Sequence, residues 1–149
     1  MSNLRKLSFV FSILFPVVPA AGQTITTAAI EVEESTPMIV KITGAPGDGN
    51  TALAVAIRNE LARIGFPISD KTRGAKYCLD VYVTVGKARE DGNQPVEVEW
   101  WLQNPEGKYQ GTVMQRVELP DGELNGSWGN DAIYAARGAA PGLLRLLSR

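Results

Sequence analysis

Val96-Glu97-Val98-Glu99-Trp100-Trp101-Leu102-Gln103 decides the fold of this 149-residue chain. Successive side chains of a strand point to opposite faces, so Val96, Val98, Trp100 and Leu102 share one side and Glu97, Glu99, Trp101 and Gln103 the other. The first set suits a core and the second suits water. A sheet built from such strands needs cover on one face only.

The pattern extends in both directions. Asp91-Gly92 and Asn104-Pro105-Glu106-Gly107 are turn sequences that bound the run and reverse the chain. Upstream, Tyr77, Leu79, Val81, Val83 and Val85 alternate with Cys78, Asp80, Tyr82 and Thr84. Downstream, Tyr109, Val113, Val117 and Leu119 are assigned to the inner face, and Lys108, Gln110, Thr112, Met114, Arg116 and Glu118 to the outer one. Gly86 and Gly111, within strand patterns, are expected to mark bulges or sheet curvature rather than ligand approach. Met38, Val40 and Ile42 alternate with Ile39, Lys41 and Thr43 in a first strand that ends in the glycine-rich Gly44 to Gly49.

Two helices complete the chain. Leu53, Ile57, Leu61 and Ile64 recur at helical spacing over Asn50 to Ile64, with Asp48 and Asn50 as N-cap oxygens and Gly65 as the stop. Ser127 to Leu147 carries an apolar stripe of Trp128, Ile133, Ala136, Ala140, Leu143, Leu144 and Leu147, with a kink expected at Pro141, which lacks the amide hydrogen. The expected fold is α+β: a two-layer sandwich in the order β-α-β-β-β-α, two helices packed on one face of a mainly antiparallel four-stranded sheet.

The N-terminal end has a different composition. Arg5 and Lys6 precede an apolar run from Leu7 to Val18, followed by the small residues Ala20, Ala21 and Gly22. The run holds about a dozen residues where a membrane-spanning helix needs roughly twenty, so residues 1–22 read as a signal peptide cut after Ala20 or Gly22. No stable membrane span is expected after cleavage. Gln23 stands where a lipoprotein would need cysteine. Residues 23–36 read as a flexible linker in which Ile25, Ile30 and Val32 could at most form a short strand, and residues 37–149 as a single domain. The expected location is the periplasm or the medium.

Composition narrows the chemistry. Removal of the signal leaves thirteen basic and sixteen acidic residues, a net charge of −3 with no basic run, which argues against nucleic-acid binding. The chain has no histidine, which eliminates Ser/His and Cys/His nucleophile pairs and histidine zinc sites. Cys78 is the only cysteine, so no disulfide forms within the chain. Gly44-Ala45-Pro46-Gly47-Asp48-Gly49-Asn50-Thr51 has the glycine spacing of a phosphate-binding loop, but Asn50 replaces its lysine and Asp48 brings the wrong charge. It reads as a turn and helix cap. Trp128 is assigned to the core. Glu97 and Glu99 stand about 7 Å apart on one strand face, a spacing paired glycosidase carboxylates also use, although an open strand offers neither of them an apolar pocket.

The outer face is the more informative surface. Tyr82, Glu99, Trp101, Met114 and Arg116 form a mixed aromatic and charged set, and large aromatics on a water-facing side suit protein contacts or sugar stacking. These five are the candidate binding residues, with no catalytic residue, metal ligand or cofactor expected. The competing expectation is that Trp101 packs under the linker, under a long loop or against a neighbouring subunit of a homo-oligomer.

Ile42 to Leu53 (ITGAPGDGNTAL), Glu99 to Pro105 (EWWLQNP) and Asn125 to Gly129 (NGSWG) resemble a family of small exported bacterial proteins and lipoproteins of unknown function. The element order is similar to that of envelope accessory domains such as the lipopolysaccharide-assembly lipoprotein and the amino-terminal domain of the Tol translocation protein. The resemblance implies a non-enzymatic binding or assembly role in the cell envelope, with an envelope protein or a cell-wall glycan as partner, and transfers no catalytic residue. The alternative is a glycan-binding protein with weak hydrolase activity through Glu97 and Glu99.

Overall fold

A computed structural model describes residues 9–11, 30–32, 34–70, 74 and 77–149. Most of the expected signal peptide and linker lies outside these residues. The chain divides into two compact units, Asn3–Glu34 and Ser35–Arg149. In the first, β1 (Phe9–Phe11) pairs antiparallel with β2 (Ile30–Val32), Phe9 opposite Val32 and Phe11 opposite Ile30.

The second unit is α+β, with β3 (Thr36–Thr43), α1 (Gly49–Arg63), β4 (Ile68–Ser69), β5 (Tyr77–Val85), β6 (Asn93–Gln103), β7 (Tyr109–Pro120), a 3-10 turn at Glu123–Asn125 and α2 (Gly129–Leu147). The sheet order is β4-β3-β5-β6-β7. The sheet thus has five strands rather than four and is mixed rather than mainly antiparallel. β3 runs parallel to both β4 and β5, while β5, β6 and β7 form an antiparallel meander. The physical reason is the α1 crossover, which returns the chain so that the next strand lies parallel to β3. β4 is too short at two residues to show any period.

The two-residue alternation in β6 holds. Val96, Val98, Trp100 and Leu102 are buried, and Trp100 is the largest of the fully buried side chains. The indole nitrogen of Trp100 donates to Gln115 Oε1 on β7 at 2.8 Å, and Gln115 Nε2 donates to the carbonyl of Ala135 in α2 at 3.0 Å. One amide therefore ties β6, β7 and α2 together and satisfies a donor that burial would otherwise strand.

Helix α2 lies close to β7 because their side chains complement each other in size. A Cβ added at Gly138 would come within 2.5 Å of Gln115, one at Gly142 within 2.8 Å of Val113, and one at Gly111 within 2.5 Å of Leu146. Four residues up the helix thus match two residues down the strand, since a helical turn and a two-residue strand step have similar lengths. The helix is unbroken through Pro141. Its buried face is Ala132, Ala136, Ala139, Ala140, Leu143, Leu146 and Leu147, whereas Ile133 of the expected stripe is exposed.

The helices also meet through charge. Glu60 of α1 is buried and accepts from Arg63 Nε at 2.8 Å and Arg137 of α2 at 3.4 Å. The Arg63 hydrogen bond outweighs the cost of desolvation and holds the Glu60 carboxyl below its ordinary range. A group whose pKa folding lowers adds stability above its unfolded pKa and loses it as pH falls through the folded value, so this contribution disappears on the acid side of the carboxylate range.

Trp100→Ala should lower unfolding stability by about 3–5 kcal/mol, the range for a large aromatic removed from a close-packed core, with the loss of Gln115's partner included. Chemical denaturation of the purified variant checks this, and a loss under about 1 kcal/mol would contradict the packing described.

Candidate functional site

The outer face of the sheet is a grid set by strand register. Thr84, Glu97 and Arg116 form one row, Tyr82, Glu99 and Met114 the next, Asp80, Trp101 and Thr112 the third, and Cys78, Gln103 and Tyr109 the fourth. Lys41 of β3 extends the third row beside Asp80. All five residues expected to bind, Tyr82, Glu99, Trp101, Met114 and Arg116, fall on this face.

The aromatic residues form a connected strip. Trp101 is 39% exposed and stands edge-on to Tyr82, with ring centroids 6.3 Å apart at 88°. On its other side Tyr109 lies 5.5 Å away at 49°. The Tyr109 hydroxyl shares a 2.9 Å hydrogen bond with Thr112 Oγ1.

Tyr109 corrects the sequence reading, which assigned it inward with Val113. The register shifts between Leu102 and Gln103, so Gly111 opposes Leu102 while Tyr109 opposes Gln103. The extra residue, Gln110, moves Tyr109 to the outer face, where it is 60% exposed. Gly111 inside the strand is the signal that carried this information. Val117 keeps its inward parity but is 48% exposed at the sheet edge.

Glu97, Glu99, Asp80 and Arg116 are engaged with their neighbours. Arg116 donates from Nε at 3.0 Å and from Nη2 to the same oxygen of Glu97. Trp101 Nε1 donates to Glu99 Oε2 at 2.8 Å. Gln103 Nε2 reaches Asp80 at 3.5 Å, and the Cys78 thiol contacts the same carboxylate oxygen at 3.8 Å. Burial, and then the Asp80 charge, push the Cys78 thiol above its ordinary pKa, against a smaller opposing effect of Lys41. A thiol so placed is a weak nucleophile at neutral pH. Among the described residues there is no cluster of three or more metal-ligating side chains.

The glycine-rich loop between β3 and α1 has a structural task. Asp48 Oδ1 accepts from the backbone amide of Trp128 at 2.8 Å rather than capping α1. The Trp128 indole donates to the Pro46 carbonyl at 2.8 Å, and the Asp48 amide donates to the Gly126 carbonyl at 3.1 Å. The loop is thereby latched to the start of α2, and Trp128, 3% exposed, belongs to the core as expected.

No protein-family model and no curated protein matches the sequence. Among solved structures the chain is similar to a methionine-substituted PelC dodecamer from Paraburkholderia phytofirmans, at 16% identity and a TM-score of 0.51, over 77% of this chain and 90% of that one. A second PelC dodecamer structure from the same organism matches at 15% identity and a TM-score of 0.49, over 72% and 86% of the two chains. An uncharacterised protein matches at 14% identity and a TM-score of 0.45, over 76% and 90%. Likeness at such identities concerns the fold alone.

The latch predicts a contrast between neighbours. Asp48→Ala should cost about 1–3 kcal/mol of stability, because the Trp128 amide loses its acceptor. Asn50→Ala, on an exposed position of α1, should change it by less than about 0.5 kcal/mol. Equal effects in thermal or urea unfolding would refute the latch.

Proposed function

We propose that this protein is an exported, non-enzymatic binding or assembly module of the cell envelope and that the outer sheet face is its contact surface. The observation that carries the reading is the aromatic strip. Tyr82, Trp101 and Tyr109 run across three strands on a face that neither helix covers, with Met114 59% exposed beside them. Aromatic residues and methionine next to an arginine–glutamate pair make up the composition that contact surfaces favour.

The N-terminal sequence supports export, and the resemblance to small exported proteins supports an envelope setting. No helix among the described residues is long and apolar enough to cross a membrane. The partner in this reading is an envelope protein. Assembly with further copies belongs to the same reading, and the PelC chains of similar fold occur as dodecamers.

The hydrolase alternative is less well supported by the geometry. Glu97 is committed to Arg116 and Glu99 to the Trp101 indole, so neither stands in the apolar pocket that would keep a general acid protonated. Sugar stacking on Trp101 and Tyr82 remains the second use such a strip can serve.

In-cell cross-linking with mass spectrometry tests the proposal. Trp101→Ala should weaken partner capture by about 30-fold, the loss typical of a central aromatic anchor, while the melting temperature stays near that of the parent. Unchanged capture would overturn the contact surface. Quenching of Trp101 fluorescence by cell-wall fragments, with no protein captured, would favour the glycan reading instead.

A further inference from the structure

We infer that copies of the mature protein join by strand donation: the Ile30–Val32 segment of one copy adds to the free edge of β7 in the next. The inference rests on the export reading above in one respect, the loss of residues 1–22. Cleavage after Ala20 or Gly22 removes Phe9–Phe11, and with them the ladder partner of Ile30–Val32. The mature chain then carries a short strand-forming segment without a partner.

Within its own sheet the segment could reach only the outer edge of β4, which is two residues long. A hairpin back along β3 would have to start at Thr36 and Pro37, where β4 already pairs on one side and β5 lies on the other side of the strand. The edge beyond β7 is four strand positions from β3, about 19 Å at the usual spacing. Val32 is four residues from Thr36, which span at most about 14 Å fully extended. The donor therefore reaches a β7 edge only on another copy.

The acceptor edge is long, and its charged residues Arg116 and Glu118 are already paired with Glu97 and Arg89. β7 has twelve residues and, among the described residues, pairs only with β6. Its proline is the last residue of the strand, and its bulge lies at the opposite end. Natural sheets usually protect such an edge, because its unpaired N–H and C=O groups template another strand. At this edge Val117 is 48% exposed and Tyr134 of α2 is 64% exposed. Continued one turn toward the start of α2, the helix-to-strand step that sets Gly138 by Gln115 and Gly142 by Val113 would put Tyr134 at the level of Val117. In sequence, Ile30 and Val32 flank Glu31, so an added strand would turn two apolar residues toward Val117 and Tyr134 and one carboxylate toward the side of Arg116. Donor and acceptor are different surfaces, so the contact is head-to-tail and propagates into a ring or a chain.

Native mass spectrometry of residues 23–149 tests this directly, since the entire core from Met38 to Leu147 is retained. The parent should appear as oligomers. Ile30→Pro, which spoils the donor, and Val117→Asp, which spoils the acceptor, should each run at protomer mass. Their equimolar mixture should yield a one-to-one heterodimer, because one variant keeps a sound donor and the other a sound acceptor. Circular dichroism melting verifies that both fold, and Val32→Asp and Val117→Lys serve in their place if either does not. A parent that stays monomeric, an Ile30→Pro protein that assembles like the parent, or folded variants that fail to complement would each overturn the inference. N-terminal sequencing that finds Met1 on exported protein would remove the cleavage premise alone and leave the mixing result intact.

Discussion

The hydrogen-bonded chain from the Trp100 indole through the Gln115 amide to the Ala135 carbonyl is the constraint on which the other features depend. It fixes which side of β6 faces the helices. A slip of one residue would bring Glu97, Glu99 and Trp101 into the core and turn Val98 and Trp100 to water, a rearrangement with no compensating contact. With the register fixed, Trp101 has only the outer face available. The open aromatic surface is thus a consequence of how the core is filled.

The parts of this fold legible in the sequence are those governed by local periodicity. The alternation in β5 and β6 and the helical spacing of Leu53, Ile57 and Leu61 give their buried faces correctly. Gly65 ends α1 with a φ of +88°, a conformation costly for residues with a Cβ. Strand order was not legible, because β3 beside β5 is a pairing across an intervening helix that leaves no mark on either segment. Tyr109 was misassigned through one inserted residue, and Ile133 because the first half of the buried face of α2 is made by Ala132, Ala136, Ala139 and Ala140, with leucines only from Leu143 on. The latch between Asp48 and Trp128 joins positions eighty residues apart, and only the folded chain brings them together.

The candidate site was legible to the same degree. Tyr82, Glu99, Trp101, Met114 and Arg116 do share one face, since parity alone places them there. What parity could not supply is their state of engagement: Glu97 is held by Arg116, Glu99 by Trp101, and Tyr109 completes the aromatic strip. Both glutamates of the face are thus committed to neighbouring side chains, the feature that favours the proposed contact surface over the hydrolase alternative. The proposed contact surface and the proposed strand donation use separate parts of the sheet, its outer face and the β7 edge.

Of the three indoles, Trp101 alone lies outside the core. Acrylamide quenching of tryptophan emission in the mature protein measures this exposure most directly. One readily quenched component is expected, lost in Trp101→Phe and kept in Trp128→Phe. Quenching that is unchanged by Trp101→Phe, or abolished by Trp128→Phe, would contradict it.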